Sequence, residues 1–498
     1  MKLKELIKDL PHRKLLDVDN REITGISFDS RKVREGHLFV AMRGVHLDGH
    51  RFLDDALARG AAAVIVERKD VILPSDVPKI VVENGRKALS AVSAAFFGDP
   101  SRRMTVVGVT GTNGKTTTTY LLRAVLNACG YSCGLLGTIA YQVGERDIQS
   151  TNTTPESHDI QGFFAEMAAG GFTHAVMEVS SHGIDQGRIE GIHFNAGIFT
   201  NAVSHEHLDY HRTFRSYLRT KISFFEEYLA RSQKERKAGF INADDPNARF
   251  FAAALAKQKI SCVLYGKHRS AHVRLLDYRI ATDGNHLTIL LGGAKEEFYT
   301  KIQGIGNVYN TLAVIAYGWR EGLPIEKVRA GLAGIAAVPG RFEAVVEGQP
   351  FSVIVDYAHT HQALAGLLVS ARALKPKRLI VVFGCGGDRD RTKRPLMGRV
   401  AAGMADIVII TSDNPRTEDP HRIIGDIQKG IPFWLRRKYV AIEDRGRAIR
   451  EAVALARPGD CVMIAGKGHE TYQILKQTWI PFDDREEARC ALRVLKTT

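Results

Sequence analysis

Short apolar runs alternate with amphipathic stretches along the first hundred residues. HLFVAM (37–42) and AAAVIVE (61–67) predict strands, and KALSAVSAAFFG (87–98) predicts a helix. The polar, proline-containing segment DPSRRM (99–104) follows and predicts a linker. The pattern therefore indicates a small α/β domain over residues 1–98.

A new pattern begins at Thr105. TVVGVTG (105–111) is an apolar strand that runs into a glycine-rich turn, and a helix is predicted over 115–128. Alternating strand and helix segments continue to about residue 336. Because such alternation is typical of doubly wound folds, we expect a mostly parallel sheet in a central domain over 99–336.

Four further apolar runs each end in a polar or glycine-rich loop. They are FSVIVDYAH (351–359), RLIVVFGCGG (378–387), DIVIITSDNP (406–415) and CVMIAGKG (461–468). In open parallel sheets, ligands bind at the carboxyl ends of the strands, where all four loops would lie. We therefore expect a Rossmann-like domain over 337–498, and an α/β protein of three domains.

Composition limits the class of protein. A chain of 498 residues with 44% hydrophobic and 25% charged residues fits about three globular domains. The six cysteines form no CxxC pair, which argues against a disulfide scaffold or a zinc ribbon. No apolar run of 18 residues occurs, and the first residues lack the apolar core of a signal peptide. We expect a cytoplasmic protein without a membrane span.

The net charge of +14 raises the alternative of a nucleic-acid-binding protein. The basic residues are spread along the chain, however, and no aromatic-rich RNA-binding signature occurs. We favour a charged, solvated surface and no nucleic-acid partner. The alternative predicts salt-sensitive binding to DNA.

The segment GVTGTNGKTTT (108–118) has the composition of a phosphate-binding loop. Its glycines let backbone N–H groups surround phosphate oxygens, and the helix that follows adds its positive end. The nucleotide-binding candidates are Gly111, Thr112, Asn113, Gly114, Lys115, Thr116 and Thr117. Lys115 would reach the β- and γ-phosphates, and Thr116 would offer its hydroxyl to Mg²⁺. A phosphate loop does not specify the reaction, so a nucleotide-dependent switch or motor is an alternative.

TGTNGKTTT (110–118) resembles the ATP loop of the Mur ligases and of the folate polyglutamate ligases that share their fold. The resemblance extends over nearly the whole chain. It implies an ATP-dependent ligase that forms an amide bond through an acyl phosphate, with ATP and Mg²⁺ as cofactors. The implied role is peptidoglycan synthesis, and thus cell-wall biogenesis, cell shape and cell division. The implied partners are small-molecule substrates, and the implied state is a monomer.

The same resemblance implies a metal and carbamate centre on MEVSSHG (177–183), EHLDYH (206–211) and the helical stretch around Lys221. The implied magnesium ligands are Thr116, Glu178, His207 and Lys221, the last as a carbamate. Lys115, Lys221 and His207 are the implied catalytic residues. Without the resemblance, Lys221 would be interpreted as a solvated lysine.

The chain departs from the family pattern at two places. FTNAVSHEHLDYH (199–211) carries one extra residue before the histidine motif, and Glu206 replaces the more usual aspartate. His205 is therefore an alternative ligand, although we prefer His207. After Thr360 the family usually continues with Pro-Asp, whereas this chain has His361-Gln362.

Other matching segments imply contacts with the two larger substrates. GNVYN (306–310), GRFE (340–343) and VDYAHT (355–360) imply the ATP contacts Asn307, Arg341, Asp356 and His359. The implied contacts with a UDP-linked muramoyl dipeptide are Phe28, Ser30, Val45, His46, Leu47, Asn152, Thr153, Thr154, Ser180, Gln186 and Arg188.

Three loops after predicted strands resemble the amino-acid pocket of the family. The implied contacts are Arg389, Asp413, Asn414, Pro415, Arg416, Gly466 and Glu470. The sequence Asp-Asn-Pro-Arg (413–416) resembles the branch that adds meso-diaminopimelate. Arg416 can bind the second carboxylate, which lysine lacks, through two parallel hydrogen bonds. Ligation of lysine, a folate polyglutamate ligase, and a divergent second copy with another amino-acid preference are the alternatives.

Overall fold

The structure, a computed structural model, describes residues 1–8, 10, 14–16, 19–44, 47–144, 146–203 and 207–497. The chain forms two compact units, one of Met1–Lys115 with Gly130–Leu264 and one of Thr116–Cys129 with Tyr265–Thr498. Mostly parallel sheets flanked by helices occur in both units, which confirms the predicted α/β class. Within the described ranges, no helix is both long and apolar enough to cross a membrane.

The first unit begins with a five-stranded sheet. Its strands are β1 (Lys14–Leu16), β2 (Gly25–Ser27), β3 (His37–Val40), β4 (Ala61–Val66) and β5 (Lys79–Val81), and its helices are α1 (Leu3–Leu6), α2 (Leu53–Ala58) and α3 (Gly85–Phe96). The order is β1-β5-β4-β3-β2, and only β1 is antiparallel to its neighbour. Leu38 and Val40 pack in one core, whereas Phe39 and Ala41 pack in another, because alternate side chains of a strand face opposite sides of a sheet.

A second sheet of the first unit carries the glycine-rich loop. Its strands are β6 (Thr105–Thr110), β7 (Cys133–Leu136), β8 (Ala140–Val143), β9 (Arg146–Gln149), β10 (His174–Glu178), β11 (Ala196–Phe199) and β12 (Ala238–Asn242). β6 leads through the loop into α4 (Lys115–Ala128), and the further helices are α5 (Ser157–Ala169), α6 (Ser181–Asp185), α7 (Leu208–His211), α8 (Phe214–Ser223) and α9 (Ala248–Lys257). A π-helical segment, Phe224–Leu229, continues α8. The order β12-β11-β6-β10-β7-β8-β9 is parallel from β12 to β7, so β6 is central.

The segment 99–104, for which the sequence predicts a linker, contains both buried and exposed residues. Residues Pro100–Arg103 form a 3-10 turn, in which Pro100 and Ser101 are buried. The Ser101 Oγ accepts a hydrogen bond from the His193 backbone N–H at 3.1 Å. Met104 joins the core beneath the central sheet.

The second unit contains α4 and an antiparallel meander. The strand β13 (Ser261–Gly266) begins in the first unit and ends here, followed by β14 (Val273–Ala281), β15 (Gly284–Leu291) and β16 (Ala294–Thr300). β14, β15 and β16 pair in antiparallel fashion, within a central domain for which the sequence predicts a mostly parallel sheet. Two helices follow, α10 (Ile305–Arg320) and α11 (Ile325–Gly334).

A six-stranded sheet occupies the rest of the second unit. Its strands are β17 (Glu343–Ala344), β18 (Ser352–Asp356), β19 (Leu379–Phe383), β20 (Ile407–Ile410), β21 (Tyr439–Ala441) and β22 (Cys461–Ala465), in the order β17-β18-β22-β19-β20-β21. The helices are α12 (His361–Ala373), α13 (Lys393–Met404), α14 (Pro420–Gln428), α15 (Arg445–Leu455) and α16 (Asp484–Thr497), and β23 (Tyr472–Leu475) and β24 (Thr478–Pro481) form a hairpin. The five strands from β18 to β21 in this order are parallel, so their carboxyl ends form one edge, as predicted.

Candidate active site

The loop between β6 and α4 has the backbone conformation of a phosphate-binding loop. Gly111 and Gly114 have φ angles of +150° and +90°, and a Cβ atom on Gly111 would lie 1.9 Å from the Thr200 Oγ1. The Lys115 Nζ donates to the carbonyl oxygens of Gly111 (3.0 Å) and Thr112 (2.9 Å). The ammonium group therefore lies across the loop, where it would meet phosphate oxygens.

Neighbouring segments of the first unit hold this loop in place. The Asn113 backbone N–H donates to the Asn201 Oδ1 at 3.0 Å, and the Asn113 carbonyl accepts from the Thr200 Oγ1 at 2.6 Å. The Thr112 Oγ1 lies 2.8 Å from the Tyr217 hydroxyl. These three contacts hold the loop in its conformation.

Arg341 contacts the buried Thr116 in the second unit. Its Nη2 donates to the Thr116 Oγ1 at 3.1 Å, and its guanidinium carbon lies 4.8 Å from the centre of the Tyr357 ring. The buried Nε of Arg341 has no hydrogen-bond acceptor among the described residues. Because an unsatisfied buried donor costs free energy, an anionic ligand oxygen would be well accommodated here.

The other predicted nucleotide contacts of the second unit have mostly local partners. The Asp356 carboxylate accepts the backbone N–H groups of Phe342 (2.7 Å) and Ala358 (2.8 Å), and burial raises the pKa of Asp356. The Asn307 Nδ2 donates to the Gln303 carbonyl at 2.6 Å, within the start of α10. His359 is exposed, and Thr117 is buried.

Lys221 is almost fully buried, which excludes the interpretation of a solvated lysine. Its Nζ donates to the Gly111 carbonyl at 2.9 Å and lies 3.5 Å from the Thr110 Oγ1. The Tyr217 ring centre is 4.8 Å away. Helix α8 therefore places the amine directly against the phosphate loop.

Glu178 ends β10 and is fully buried. Its two carboxylate oxygens accept from the Thr138 backbone N–H at 2.8 Å and from the Thr138 hydroxyl at 3.0 Å. His207 precedes α7 in a left-handed conformation (φ +54°), and its ring centre is 4.9 Å from that of His182. His205 and Glu206 lie outside the described residues. Among the residues described, no three His, Cys, Asp or Glu side chains are grouped closely enough to hold a metal ion.

Several predicted dipeptide contacts meet beside Glu178. The Thr154 Oγ1 donates to the Ser180 Oγ at 3.0 Å, and Thr153 lies against Thr138 with 3.1 Å between their hydroxyl oxygens. Arg188 donates to the Gln186 Oε1 and to the Thr154 carbonyl, both at 2.8 Å.

Arg188 also forms an ion pair with the Glu156 carboxylate at 3.1 Å. The same carboxylate pairs with Arg86 of α3 at 3.0 Å. Desolvation lowers the pKa of Arg188. The side chain of Asn152 is exposed and lies outside this set of contacts. The Arg188 guanidinium is therefore oriented by Gln186, Thr154 and Glu156.

Of the predicted uridine contacts, Phe28 and Ser30 follow β2 in the chain and Leu47 follows β3. Ser30 is buried, and Leu47 is exposed; Val45 and His46 lie outside the described residues. Phe28 packs edge-on against His158, with 6.3 Å between the two ring centres. It lines a cavity of about 470 Å³ together with Lys32, His37, His158 and Asp159, among others.

The amino-acid motifs meet at the carboxyl ends of β20 and β22. The Asn414 Nδ2 donates to the Glu470 Oε2 at 2.9 Å. The buried Lys467 donates to the Asn414 Oδ1 (3.0 Å) and to the Glu470 Oε2 (3.1 Å). A Cβ atom on Gly466 would lie 2.6 Å from the Asp413 Oδ2. Although burial opposes it, the positive charge of Lys467 helps to lower the pKa of Asp413, whereas burial raises the pKa of Glu470.

Arg416 is held in a left-handed conformation with φ +52°. Its Nη1 donates to the Gly387 carbonyl at 2.7 Å, and its backbone N–H donates to the Ile474 carbonyl at 3.1 Å. A Cβ atom on Gly387 would lie 1.9 Å from the Pro415 carbonyl oxygen, so only glycine fits there. Arg389 is exposed on the same loop as Gly387.

Sequence reasoning missed several titratable residues of these sites. Lys467 is part of the CVMIAGKG segment but was not among the predicted contacts, and His158 and Asp159 occur in an ordinary helical pattern. Their positions depend on partners far away in the chain. The only sequence signal that could have revealed one of them is the position of Lys467 between two glycines at a predicted strand end.

Three family models match consecutive parts of the chain. They are described as "Mur ligase family, catalytic domain" (residues 22–97), "Mur ligase middle domain" (109–318) and "Mur ligase, glutamate ligase domain" (340–468). The chain therefore belongs to the Mur ligase family, which confirms the resemblance of its motifs.

The relatives narrow the comparison to one branch. The chain is 42% identical over 494 residues to the UDP-N-acetylmuramoyl-L-alanyl-D-glutamate--2,6-diaminopimelate ligase of Geobacillus kaustophilus, with 99% of both chains covered. It is 44% identical over 496 residues to the enzyme of the same name from Geobacter metallireducens, which covers 96% of this chain and 95% of that one.

Solved structures agree with this placement. A structure titled with the same enzyme name matches with a TM-score of 0.71 and 30% identity, covering 100% of both chains. The MurF ligase of Thermotoga maritima in complex with ADP matches at 0.65 and 19% identity, covering 95% of this chain and 98% of that chain. At that identity the second match shows the shared fold alone.

Proposed function

We propose that this chain is an ATP-dependent acid–amino-acid ligase that joins meso-2,6-diaminopimelate to UDP-N-acetylmuramoyl-L-alanyl-D-glutamate in peptidoglycan synthesis. The observation that carries the proposal is the Asp413–Arg416 loop at the carboxyl edge of the last sheet. Arg416 is fixed on the Gly387 carbonyl at 2.7 Å, beside a buried cluster in which Asn414 contacts Glu470 at 2.9 Å. Full-length relatives at 42% and 44% identity that carry this enzyme name support the same reaction.

In the first step, the terminal carboxylate of the dipeptide attacks the γ-phosphorus of ATP. A bond forms between carboxylate oxygen and phosphorus, the bond to the β-phosphate breaks, and ADP leaves. The difficulty is the approach of two anions. Lys115, which lies across the phosphate loop, supplies positive charge that would stabilise the transferring phosphoryl group. Arg341, which contacts Thr116, is assigned a separate contact with ATP.

We assign the remaining ATP contacts to the loop and to the second unit. They are Gly111, Thr112, Asn113, Gly114, Thr116, Thr117, Asn307, Asp356 and His359. Asp356 would act mainly by shaping the end of β18, because its carboxylate accepts two backbone N–H groups.

We propose Glu178, His207, Thr116 and a carbamate on Lys221 as magnesium ligands. The buried carboxylate of Glu178 and the hydroxyl of Thr116 are hard oxygen donors, which fit Mg²⁺. The Lys221 amine is buried against the Gly111 carbonyl, and a carbamate there would convert a cation into an anion with two oxygens. Bound Mg²⁺ would supply neutralisation of the phosphate charge.

In the second step, an amino group of diaminopimelate attacks the acyl carbon. The new C–N bond forms, the C–O bond to phosphate breaks, phosphate leaves, and the amine loses a proton. The Asp413 and Glu470 carboxylates would hold ammonium groups of the amino acid. Arg416 and Arg389 would bind the carboxylates of the amino acid. Arg416 would use the guanidinium N–H groups that do not donate to the Gly387 carbonyl.

We assign the nucleotide-sugar substrate to the first unit. Thr153, Thr154, Ser180, Gln186 and Arg188 form the contact set that supports a dipeptide site there. Phe28, Ser30, Leu47 and Asn152 stay predicted contacts, as do Val45 and His46. The domain limits near residues 98 and 336, a monomeric state and a cytoplasmic location likewise stay predictions.

The test is phosphate release with ATP, Mg²⁺ and the UDP-muramoyl dipeptide, comparing meso-diaminopimelate with L-lysine. We expect release only with diaminopimelate. Phosphate release with lysine would agree with the proposed ligase reaction but contradict the assigned role of Arg416. Release that depends on neither amino acid would contradict the ligase reaction itself.

A further inference from the structure

Two loops of the amino-acid site are joined directly to each other. We call them the glycine loop (residues 384–391) and the arginine loop (residues 412–418). The Gly387 backbone N–H donates to the Asn414 carbonyl at 2.9 Å, and Arg416 returns a bond to the Gly387 carbonyl at 2.7 Å. The Thr417 hydroxyl donates to the Asp388 Oδ1 at 2.7 Å. Arg389 and Arg416, on different loops, therefore have a separation that depends on these contacts.

Glu418 is the residue on which both loops converge. Its Oε1 accepts from the Asp388 backbone N–H at 2.7 Å and from the Arg394 Nη2 at 2.8 Å. Its Oε2 accepts from the Arg394 Nη1 at 3.0 Å and pairs with Arg391 at 2.9 Å. The Glu418 carboxylate thus adds a further link between the glycine loop and the end of the arginine loop.

Arg394 is the buried cation that holds this carboxylate. It lies in the first turn of α13 and is fully buried. Besides its two bonds to Glu418, it donates to the Gly386 carbonyl at 3.3 Å and to the Asp426 carboxylate of α14 at 3.1 Å. A planar guanidinium can satisfy these acceptors together, whereas the single ammonium group of lysine cannot reproduce the fork.

We propose that Arg394 and Glu418 are positioning residues that determine amino-acid selectivity by fixing the separation of Arg389 and Arg416. The inference rests on the proposed function, in which those two arginines bind the carboxylates of diaminopimelate. Neither positioning residue belongs to the contacts assigned to the amino acid, and the hydrogen bonds described for both are with protein groups. A ligand with two carboxylates requires both arginines at one spacing, whereas a ligand with a single carboxylate does not.

This arrangement predicts a specific kinetic signature. Loosening the loops raises the KM for diaminopimelate and reduces its preference over lysine, while the KM values for ATP and for the dipeptide stay unchanged. A purely structural role would instead lower the amount of folded enzyme and leave the KM values and the selectivity as they are. The two roles are therefore separable by steady-state kinetics.

The experiment compares Arg394→Lys and Glu418→Gln with the wild-type chain. We expect each variant to raise the KM for diaminopimelate by about tenfold or more, since small misplacements of binding groups have effects of this order. The matched control is Arg378→Lys. Arg378 pairs with the Asp460 carboxylate through its Nε at 3.0 Å. It directly precedes β19 and so lies at the amino ends of the strands, away from the amino-acid site at their carboxyl ends. Its variant should keep the wild-type KM values.

A milder variant keeps the test decisive if the buried substitutions fail to fold. Thr417→Val removes the hydroxyl bond to Asp388 without touching the buried pair, and it should shift selectivity in the same direction by a smaller factor. Unchanged KM and selectivity in the folded variants would overturn the inference. Wild-type enzyme that does not depend on diaminopimelate would instead overturn the proposed function.

Discussion

Lys221 shows how burial changes the chemistry that a residue type suggests. In the sequence it lies in an amphipathic helical stretch, where a lysine is normally solvated. In the structure its Nζ contacts the Gly111 carbonyl, 110 residues away in the chain. As a protonated amine, Lys221 would attract the phosphates of ATP directly. As a carbamate, Lys221 would carry a negative charge instead. The contact with the Gly111 carbonyl supports a functional role for Lys221.

Lys221→Arg tests the carbamate. Arginine keeps the positive charge but does not form the carbamate, so we expect kcat to fall by about 100-fold, the order seen when a preorganised charged group is lost. The enzyme should also lose a carbamate resonance that ¹³C-bicarbonate produces in the wild-type spectrum. The control is Lys237→Arg, since Lys237 is also held by backbone carbonyl groups, with two donated bonds at 2.8 and 2.9 Å. Full activity of Lys221→Arg would contradict the carbamate.

Other residues of the site escaped sequence reasoning because their roles arise from distant contacts. Lys467 reaches Asn414, 53 residues earlier, and Arg394 reaches Glu418, 24 residues later. The only local signal is the place of Lys467 between two glycines at a predicted strand end, and nothing local distinguishes Arg394 from a solvated charge. The glycine-rich motifs were predictable, since the turn at Gly111 and the close approach at Gly387 exclude side chains.

At the scale of elements, the buried parallel strands were the most predictable. The runs after residues 105, 351, 378 and 461 are apolar because both faces of their sheets are covered, and each is a strand in the structure. The meander β14–β16 was not predicted as antiparallel. Its strands are partly exposed, so their sequences carry many polar residues and lack the continuous apolar signal.

Helix boundaries depend on capping residues, which gives a prediction for α3. The Asn84 side chain accepts a hydrogen bond from the Lys87 backbone N–H at 3.0 Å. Asn84→Ala should destabilise the helix by about 1 kcal/mol. Hydrogen exchange should show faster exchange in the first turn of α3.

The control for this cap is Asn84→Asp. Aspartate retains the acceptor oxygen and adds a favourable negative charge at the helix start, so exchange should stay slow. Equal exchange in the alanine and aspartate variants would show that packing of α3 on the first sheet, and not the cap, fixes this boundary.

For the whole molecule, the two compact units do not coincide with the three segments predicted from sequence. The family models match within each of those segments, at 22–97, 109–318 and 340–468. Helix α4 and the meander belong to the second compact unit although they precede residue 336. Sequence patterns record which strands are buried, whereas they do not record which neighbours a helix will pack against. The limits near 98 and 336 therefore stay predictions.

Ligand binding gives a prediction at this scale, because a ligand that binds only the folded chain raises its stability. At 100 times its Kd, ATP with Mg²⁺ should stabilise the folded state by about 2.7 kcal/mol and raise the unfolding temperature. Lys115→Ala should remove most of this shift, since Lys115 crosses the loop between the carbonyls of Gly111 and Thr112. Differential scanning calorimetry with and without ATP and Mg²⁺ measures this shift in the unfolding temperature.

Lys234→Ala is the matched variant, because Lys234 also donates to two backbone carbonyls, those of Arg102 and Met104, both at 2.8 Å. It should lower the unfolding temperature of the free chain yet keep the full shift on addition of ATP. The comparison distinguishes a lysine that stabilises the fold from a lysine that binds nucleotide. Only loss of the nucleotide-binding lysine reduces the rise in unfolding temperature that ATP produces. An undiminished shift in Lys115→Ala would place the nucleotide elsewhere in the protein.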